Sequence, residues 1–386
     1  MQQSLTIART LADVILQSMR PGFVNILYGP RQIGKTVLLG QITAQLSKEK
    51  ILAVNGDTEE GRTLLSTTSE VKLAQTMKNY TILCIDEAQR ISNIGLSLKI
   101  IIDRFPSTKI MVTGSSSLDL AKGIKENLTG RNKVFLLYPL ATGERAGNLG
   151  VHHIPSLLEE QLIYGGYPYV QSLAAAKEKQ EYLAGIVEDY LFRDIVWLEK
   201  IENPDVLRKL STVLAFQIGS EVSLNELSRT LGIDVKTVAR YLALLEKSFV
   251  IVPIGAYAKN LRNEISKSKK YYFFDLGIRN ALTSQFLPLD RRTDIGALWE
   301  NFLFIERMKE RHYARTVAQY YFWRTYEGAE VDMVELIAAE KLRAFEFKWG
   351  LRTWKAPTQF TSAYDADIQI ITKDNYLDFV GAGITR

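Results

Sequence analysis

Gly29-Pro30-Arg31-Gln32-Ile33-Gly34-Lys35-Thr36 decides how the rest of this chain is read. The stretch satisfies G-x-x-x-x-G-K-[ST] at every position. Before it, Phe23-Val24-Asn25-Ile26-Leu27-Tyr28 reads as a buried strand; after it, Val37-Leu38-Leu39 opens a helix with an apolar face. A glycine-rich turn between strand and helix aims successive backbone N–H groups at a polyphosphate. Residues 29–36 would form that cradle, Lys35 would stand beside the β- and γ-phosphates, and the Thr36 hydroxyl would ligate Mg²⁺.

A second segment supports the first. Tyr80-Thr81-Ile82-Leu83-Cys84-Ile85 is apolar at nearly every position and ends in Asp86-Glu87. Such a run suits a parallel strand covered on both faces. Its carboxyl end is where open α/β sheets bind ligands. Asp86 would hold the Mg²⁺ through water, and Glu87 would polarise an attacking water. Binding alone needs only the first acid, so the second points to hydrolysis. Taken alone, the pair would read as an acidic helix cap.

Composition sets outer limits. With 386 residues, 46% hydrophobic and 24% charged, the chain can fill two or three domains and is too apolar to be disordered. A net charge of +5 permits nucleic acid without requiring it. One cysteine, Cys84, precludes an intrachain disulfide and fits a reducing compartment. His152, His153 and His312 lack zinc-ligand spacing. No apolar run is long enough for a membrane span, and Arg9 and Asp13 interrupt any signal-peptide core. The expectation is a soluble, cytoplasmic protein with no membrane partner.

Strands expected at 23–28, 51–55, 81–85, 109–113 and 134–137 alternate with helices, the pattern of a doubly wound parallel α/β sheet. The fourth ends in Thr113-Gly114-Ser115-Ser116-Ser117, and its tip should lie beside Asp86. The small hydroxyl residues there, Thr113 and Ser115 among them, could touch a γ-phosphate or its water. A serine-rich turn capping a helix would look the same.

Residues 141–200 read as helical, with a turn at Gly165-Gly166-Tyr167-Pro168. Segment 203–257 has the pattern of a winged helix-turn-helix. Ser223-Leu224-Asn225-Glu226 opens one helix as a capping box, and Leu231-Gly232-Ile233 makes the turn. The next helix, from about Asp234, carries Val238, Tyr241, Leu242 and Leu245 at helical spacing. Phe249-Val250-Ile251-Val252 would be a wing strand. Lys236, Thr237 and Arg240 fall on the opposite face, where a DNA reader meets the groove and a protein-binding module meets solvent.

Toward the carboxyl end, Glu300 lies in an apolar helix, and Glu330-Val331-Asp332-Met333-Val334-Glu335-Leu336 alternates acid with apolar. Ala344-Phe345-Glu346-Phe347-Lys348 follows. Side chains two apart on a strand share a face, so Glu346 and Lys348 point together and Phe345 and Phe347 point the other way. With Asp332 and Glu300 alongside, the carboxylates could bind one or two Mg²⁺ ions, and Lys348 could position or deprotonate a water against a phosphodiester. Any half-buried sheet shows a similar alternation.

Together these segments resemble the prokaryotic AAA+-type ATPases whose carboxyl-terminal half is the DUF4143 domain. The resemblance is carried by residues 29–36, Ile85-Asp86-Glu87-Ala88-Gln89, Thr113–Ser117, Leu128-Thr129-Gly130-Arg131 with Pro139-Leu140, Gly165–Pro168, Tyr190–Asp194, the helix-turn-helix, Glu300-Asn301-Phe302, Phe322-Trp323-Arg324, Val331-Asp332 and Glu346-Phe347-Lys348. Ala88 departs from the larger apolar residue expected after the acid pair. The resemblance implies ATP with Mg²⁺, a winged helix, and an α+β restriction-endonuclease-like domain of the PD-(D/E)xK kind. It divides the chain into an ATPase domain at 1–145, a helical and winged-helix segment at 146–260, and the nuclease-like domain at 261–386. It adds Arg131 as a group reaching a γ-phosphate in its own or a neighbouring subunit, and Gln359 as an accessory to the second site. The expected function is DNA-associated ATP hydrolysis in a homo-oligomer, with metal-dependent cleavage at Glu300, Asp332, Glu346 and Lys348 as an addition. The alternative is an ATP-dependent switch with a protein-binding winged helix and an inert end domain.

Overall fold

The computed structural model describes residues 7–114, 127–195, 201, 203–258, 269–325, 327–337, 341–350 and 354–383. They form two compact units, one spanning Ala8–Tyr138 and the other running from Pro139 onward.

The first unit holds five parallel strands: β1 (Val24–Tyr28), β2 (Ile51–Asn55), β3 (Ile82–Asp86), β4 (Lys109–Gly114) and β5 (Asn132–Leu136). Their order across the sheet is β2-β3-β4-β1-β5. The central strands β1 and β3 are buried at every position, and β4 at all but its first. Helices on both sheet faces require such continuous apolar runs. The edge strands β2 and β5 are only partly covered. β5 begins at Asn132, two residues before the sequence expectation, because polar Asn132 and Lys133 suit a half-exposed edge. Pairing of β3 with β4 sets Ile85 opposite Val112, so the tips carrying Asp86 and Thr113 are neighbours, as the sequence implied.

An amino-terminal helix, Thr10–Ser18, precedes the sheet. Arg9, at its cap, is buried and donates to the carbonyls of Ile33 at 3.2 Å and Tyr138 at 2.6 Å. A charge with so little water must find oxygen partners, and here they include the glycine turn itself.

The second unit begins with helices and continues into a seven-stranded sheet. Helices Leu224–Leu231 and Val235–Lys247 flank Gly232, whose φ of 68° makes the left-handed turn that glycine allows. Ser223 accepts from the Glu226 N–H at 3.4 Å, and Asp234 accepts from the Thr237 N–H at 2.9 Å. Val238, Tyr241, Leu242 and Leu245 are buried as the spacing predicted.

Strands β6 (Glu221–Val222), β7 (Ile251–Ala256) and β8 (Lys269–Phe273) pair antiparallel beside these helices. β7 then pairs in parallel with β9 (Ala318–Arg324), Gly255 against Tyr321. β9, β10 (Glu330–Ile337) and β11 (Lys341–Phe347) are antiparallel, and β12 (Ile368–Ile371) closes the order β12-β11-β10-β9-β7-β8-β6. The segments that the sequence separated at residue 260 therefore share one sheet.

The register of β10 on β9 shifts between Val331 and Val334. Both valines enter one core cluster with Trp323, Ala344 and Phe360 although they are three residues apart. A bulge of this kind re-aims the residues inside it, and Asp332 is one of them. The long helix Ile295–Tyr313 carries Glu300.

Candidate functional site

In the first unit, helix Lys35–Gln45 starts directly after Gly34, whose φ is 92°. At the start of the turn, a Cβ on Gly29 would lie 2.6 Å from the Leu137 carbonyl oxygen, so only glycine fits. Gln32 and Glu87 also have left-handed backbones, with φ of 59° and 48°. Each such non-glycine residue costs on the order of 1–3 kcal/mol and tends to occur at functional sites. An open cleft of about 450 Å³ is lined by Arg31, Gln32, Gly34, Lys35, Thr36, Val37, Asp57, Glu87 and Arg90. That volume falls within the range of small-molecule sites.

The side chains the sequence selected do converge. Thr36 Oγ1 donates to Asp86 Oδ2 at 2.7 Å. Lys35 is buried and its ammonium donates to the carbonyls of Gly29 at 3.0 Å and Pro30 at 2.8 Å. Burial lowers the Lys35 pKa to about 8; Glu87 and Asp86 oppose the drop and Arg31 adds to it. A desolvated cation held only by two carbonyls is complementary to an incoming polyanion. A hydroxyl beside a carboxylate is an oxygen donor set that fits Mg²⁺ brought in with phosphates.

Thr113 does something the sequence did not show. Fully buried, it donates through its hydroxyl to Asp86 Oδ1 and accepts from the Glu87 N–H at 3.1 Å. It therefore fixes both acids. Gln89 donates to the Glu87 carboxylate. Pro30 and Ile33 complete the turn; Ser115 lies outside the described residues.

Arg131 requires a correction. The Val24 N–H bonds its carbonyl at 3.0 Å, and Val24 pairs with Asn132, so Arg131 enters β5 at the amino edge of the sheet. The glycine turn follows the carboxyl end of β1, roughly 15–20 Å away at about 3.3 Å per residue. Its guanidinium instead pairs with Asp103 at 2.7 Å. Arg131 cannot reach a phosphate bound by its own chain.

In the second unit, the expected carboxylates also approach one another, with partners that the sequence did not suggest. The Phe347 N–H donates to Asp332 Oδ2 at 2.7 Å, and Lys348 Nζ donates to Glu346 Oε1 at 2.5 Å. Phe345 and Phe347 both meet Phe379, on the other face. Burial, then the charges of Glu300 and Glu346, push the Asp332 carboxyl well above its ordinary range; burial raises Glu346 against the pull of Lys348. Glu346 Oε2 is buried without a hydrogen-bond partner.

Lys270, on β8, was missed. Its side chain is 3% exposed, and its ammonium lies 3.0 Å from Glu300 Oε1 and 2.5 Å from Glu330 Oε1. Burial works against that ammonium, but Glu300 and Glu330 more than reverse the effect and hold its pKa above the ordinary value. Tyr272 also donates to Glu300 Oε1, at 2.6 Å. Among the described residues, no three His, Cys, Asp or Glu side chains gather as ligands for one ion. Glu300 is thus close enough for its charge to act on Asp332 and Glu346, but its Oε1 is engaged by Lys270 and Tyr272. The remaining pair of carboxylates is still a donor set suited to Mg²⁺, which keeps several waters. The signal in the sequence was a lysine inside the aromatic run Lys270-Tyr271-Tyr272-Phe273-Phe274.

A strand, glycine turn and helix, with a strand-end carboxylate on the turn's threonine, define a P-loop nucleotide-binding domain. Family models agree: residues 22–146 match an AAA domain, 155–289 a domain of unknown function (DUF8612), and 295–379 a domain of unknown function (DUF4143). The chain is a P-loop AAA-domain protein with a DUF4143 carboxyl-terminal domain. An uncharacterized protein of Mycobacterium tuberculosis is 28% identical over 85% of this chain and 71% of its own length. One from Methanocaldococcus jannaschii is 24% identical over 92% and 81%. One from Haemophilus influenzae is 24% identical over 94% and 89%. Among solved structures, AMPPCP-bound DnaA from Aquifex aeolicus aligns with 64% of this chain and 89% of its own at 15% identity. The TM-score of that alignment is 0.29. Among the described residues, no helix is long and apolar enough to cross a membrane.

Proposed function

We propose that this protein binds ATP with Mg²⁺ in the cleft of its first unit and hydrolyses it. The observation that carries the reading is the 2.7 Å bond from Thr36, which lines that cleft, to the buried Asp86. Lys35 would exchange the Gly29 and Pro30 carbonyls for β- and γ-phosphate oxygens. Thr36 would ligate Mg²⁺ directly and Asp86 through water. Glu87 would polarise the attacking water. Phosphate release by wild type, Lys35→Ala and Glu87→Gln tests these roles. Lys35→Ala should lose nucleotide binding, whereas Glu87→Gln should keep ATP without turning it over. Equal phosphate release by all three would refute the assignment. Arg131, remote from its own site, would act on the phosphates of a neighbouring copy.

Nucleotide turnover would be coupled to DNA through a winged helix made by helices Leu224–Leu231 and Val235–Lys247 with β7 and β8. Lys236 and Arg240 are exposed on the second of these helices. The Thr237 hydroxyl is engaged by Asp234 at 2.6 Å, which leaves a small basic face. That smallness supports the alternative of a protein-binding switch. Retention of duplex DNA at low salt, lost in Lys236→Ala/Arg240→Ala, decides between them.

For the end domain, the reading is a nuclease-like fold whose Asp332 and Glu346 hold a divalent cation, with Lys348 and Gln359 close to the substrate. Bound Mg²⁺ would supply Lewis acidity toward a phosphodiester. Cleavage by wild type but not by Asp332→Ala or Lys348→Ala would support it; equal cleavage by all three would reject it.

A further inference from the structure

We propose that the Lys270 ammonium is a built-in cation that fills the second cation position of the carboxylate cluster, so that the end domain accommodates one divalent ion rather than two. The proposal deepens the reading of Asp332 and Glu346 as an ion site.

The cluster divides into a satisfied half and an unsatisfied half. In the first, Lys270 bridges Glu300 and Glu330, and Tyr272 adds a second donor to the same Glu300 oxygen. In the second, Asp332 takes a single backbone N–H at one oxygen, and Glu346 leaves Oε2 buried with no partner. The buried oxygen that a further ligand would satisfy therefore belongs to Glu346, whose carboxylate and that of Asp332 form this half.

Charge leads to the same division. Four carboxylates face the ammonium groups of Lys270 and Lys348, so full ionisation leaves two negative charges unmatched. One divalent ion neutralises them. Two ions would leave an excess of positive charge in a buried site, which is unfavourable. A lysine suits the role because its ammonium is a compact point charge. Its place on β8 matters too. That strand hydrogen-bonds β6 and β7 beside the helix-turn-helix, so the cation comes from outside the segment that matches DUF4143.

The test is the number of Mn²⁺ ions bound per chain, measured by equilibrium dialysis and electron paramagnetic resonance on the nucleotide-free full chain. Wild type is compared with Lys270→Gln, so any ion at the amino-terminal site cancels. Lys270→Gln should bind one more Mn²⁺ than wild type, and adding Glu300→Gln should remove it. Equal stoichiometry in wild type and Lys270→Gln overturns the proposal. Wild type against Asp332→Asn reports separately on the underlying reading. A wild type with no Asp332-dependent ion, together with a gain in Lys270→Gln, supports the built-in cation and rejects the Asp332–Glu346 site. Should Lys270→Gln be unfolded without metal, folding restored by Mn²⁺ supports the proposal, and a variant unfolded in Mn²⁺ as well counts against it.

Discussion

Replacing Lys35 by methionine should stabilise the ligand-free protein while abolishing its response to ATP. Lys35 is 5% exposed, and burial lowers its pKa from 10.5 to about 8. Keeping it charged at neutral pH then costs the fold ~3 kcal/mol. Methionine removes that cost and loses the two bonds to the Gly29 and Pro30 carbonyls, worth about 1 kcal/mol each. A net gain of ~1–2 kcal/mol would raise the melting temperature of the first unit by roughly 3–8 °C. The pH dependence has a definite sign. Because the folded-state pKa lies below the unfolded value, the unfolded chain holds more protons between about pH 8 and 10.5. Wild-type stability contributed by this group therefore rises with pH across that window, and the methionine variant lacks the rise. Differential scanning fluorimetry at pH 7 and pH 9.5, with and without MgATP, reads both effects. Ligand a hundredfold above its dissociation constant stabilises by about 2.7 kcal/mol, an effect expected for wild type alone. A methionine variant that melts no higher than wild type without ligand, or keeps the ATP shift, would refute the reasoning.

Arg131→Ala should leave the ATP affinity of dilute, monomeric protein unchanged, as measured by titration of a fluorescent ATP analogue, since its guanidinium is at the opposite end of the strands from the glycine turn; a tenfold loss in the monomer would contradict that placement. His312 is lowered to about 4, by burial and then by Arg315, so the unfolded chain takes up the proton first. Its contribution to stability is lost as pH falls from about 6.5 to 4. His312→Gln should flatten that acid limb by on the order of 3 kcal/mol in urea titrations; an unchanged limb would count against it. Gly29→Ala should lower both the melting temperature and ATP binding, because its methyl would press on the Leu137 carbonyl; unchanged values for both would show that the turn is less tightly packed.

The glycine turn, the strand ending at Asp86 and the two helices flanking Gly232 were legible because each depends on residues near one another in sequence. Turn chemistry, apolar runs and helical spacing are local signals. The second site was only partly legible. Glu346 and Lys348 share a strand, so a period of two sufficed. Asp332 is inside a bulge, where that period fails, and pairing with β9 is what reveals it. Lys270 and Glu300 meet only because β8 lies beside the long helix, a contact between distant segments. The side of the sheet occupied by Arg131 likewise follows from strand direction. Thr113 was expected near the phosphate as one of several hydroxyls; its role in fixing Asp86 depends on the adjacency of β3 and β4.

The central claim is that the glycine turn wraps a triphosphate whose cation is shared with the strand of Asp86. A structure of the full chain with Mg²⁺ and a non-hydrolysable ATP analogue tests it most directly. Lys35 should have left the Gly29 and Pro30 carbonyls for phosphate oxygens, with the Thr36 hydroxyl on Mg²⁺ and Asp86 one water away. Lys35 still bound to those carbonyls, beside a cleft empty at millimolar nucleotide, would contradict the account.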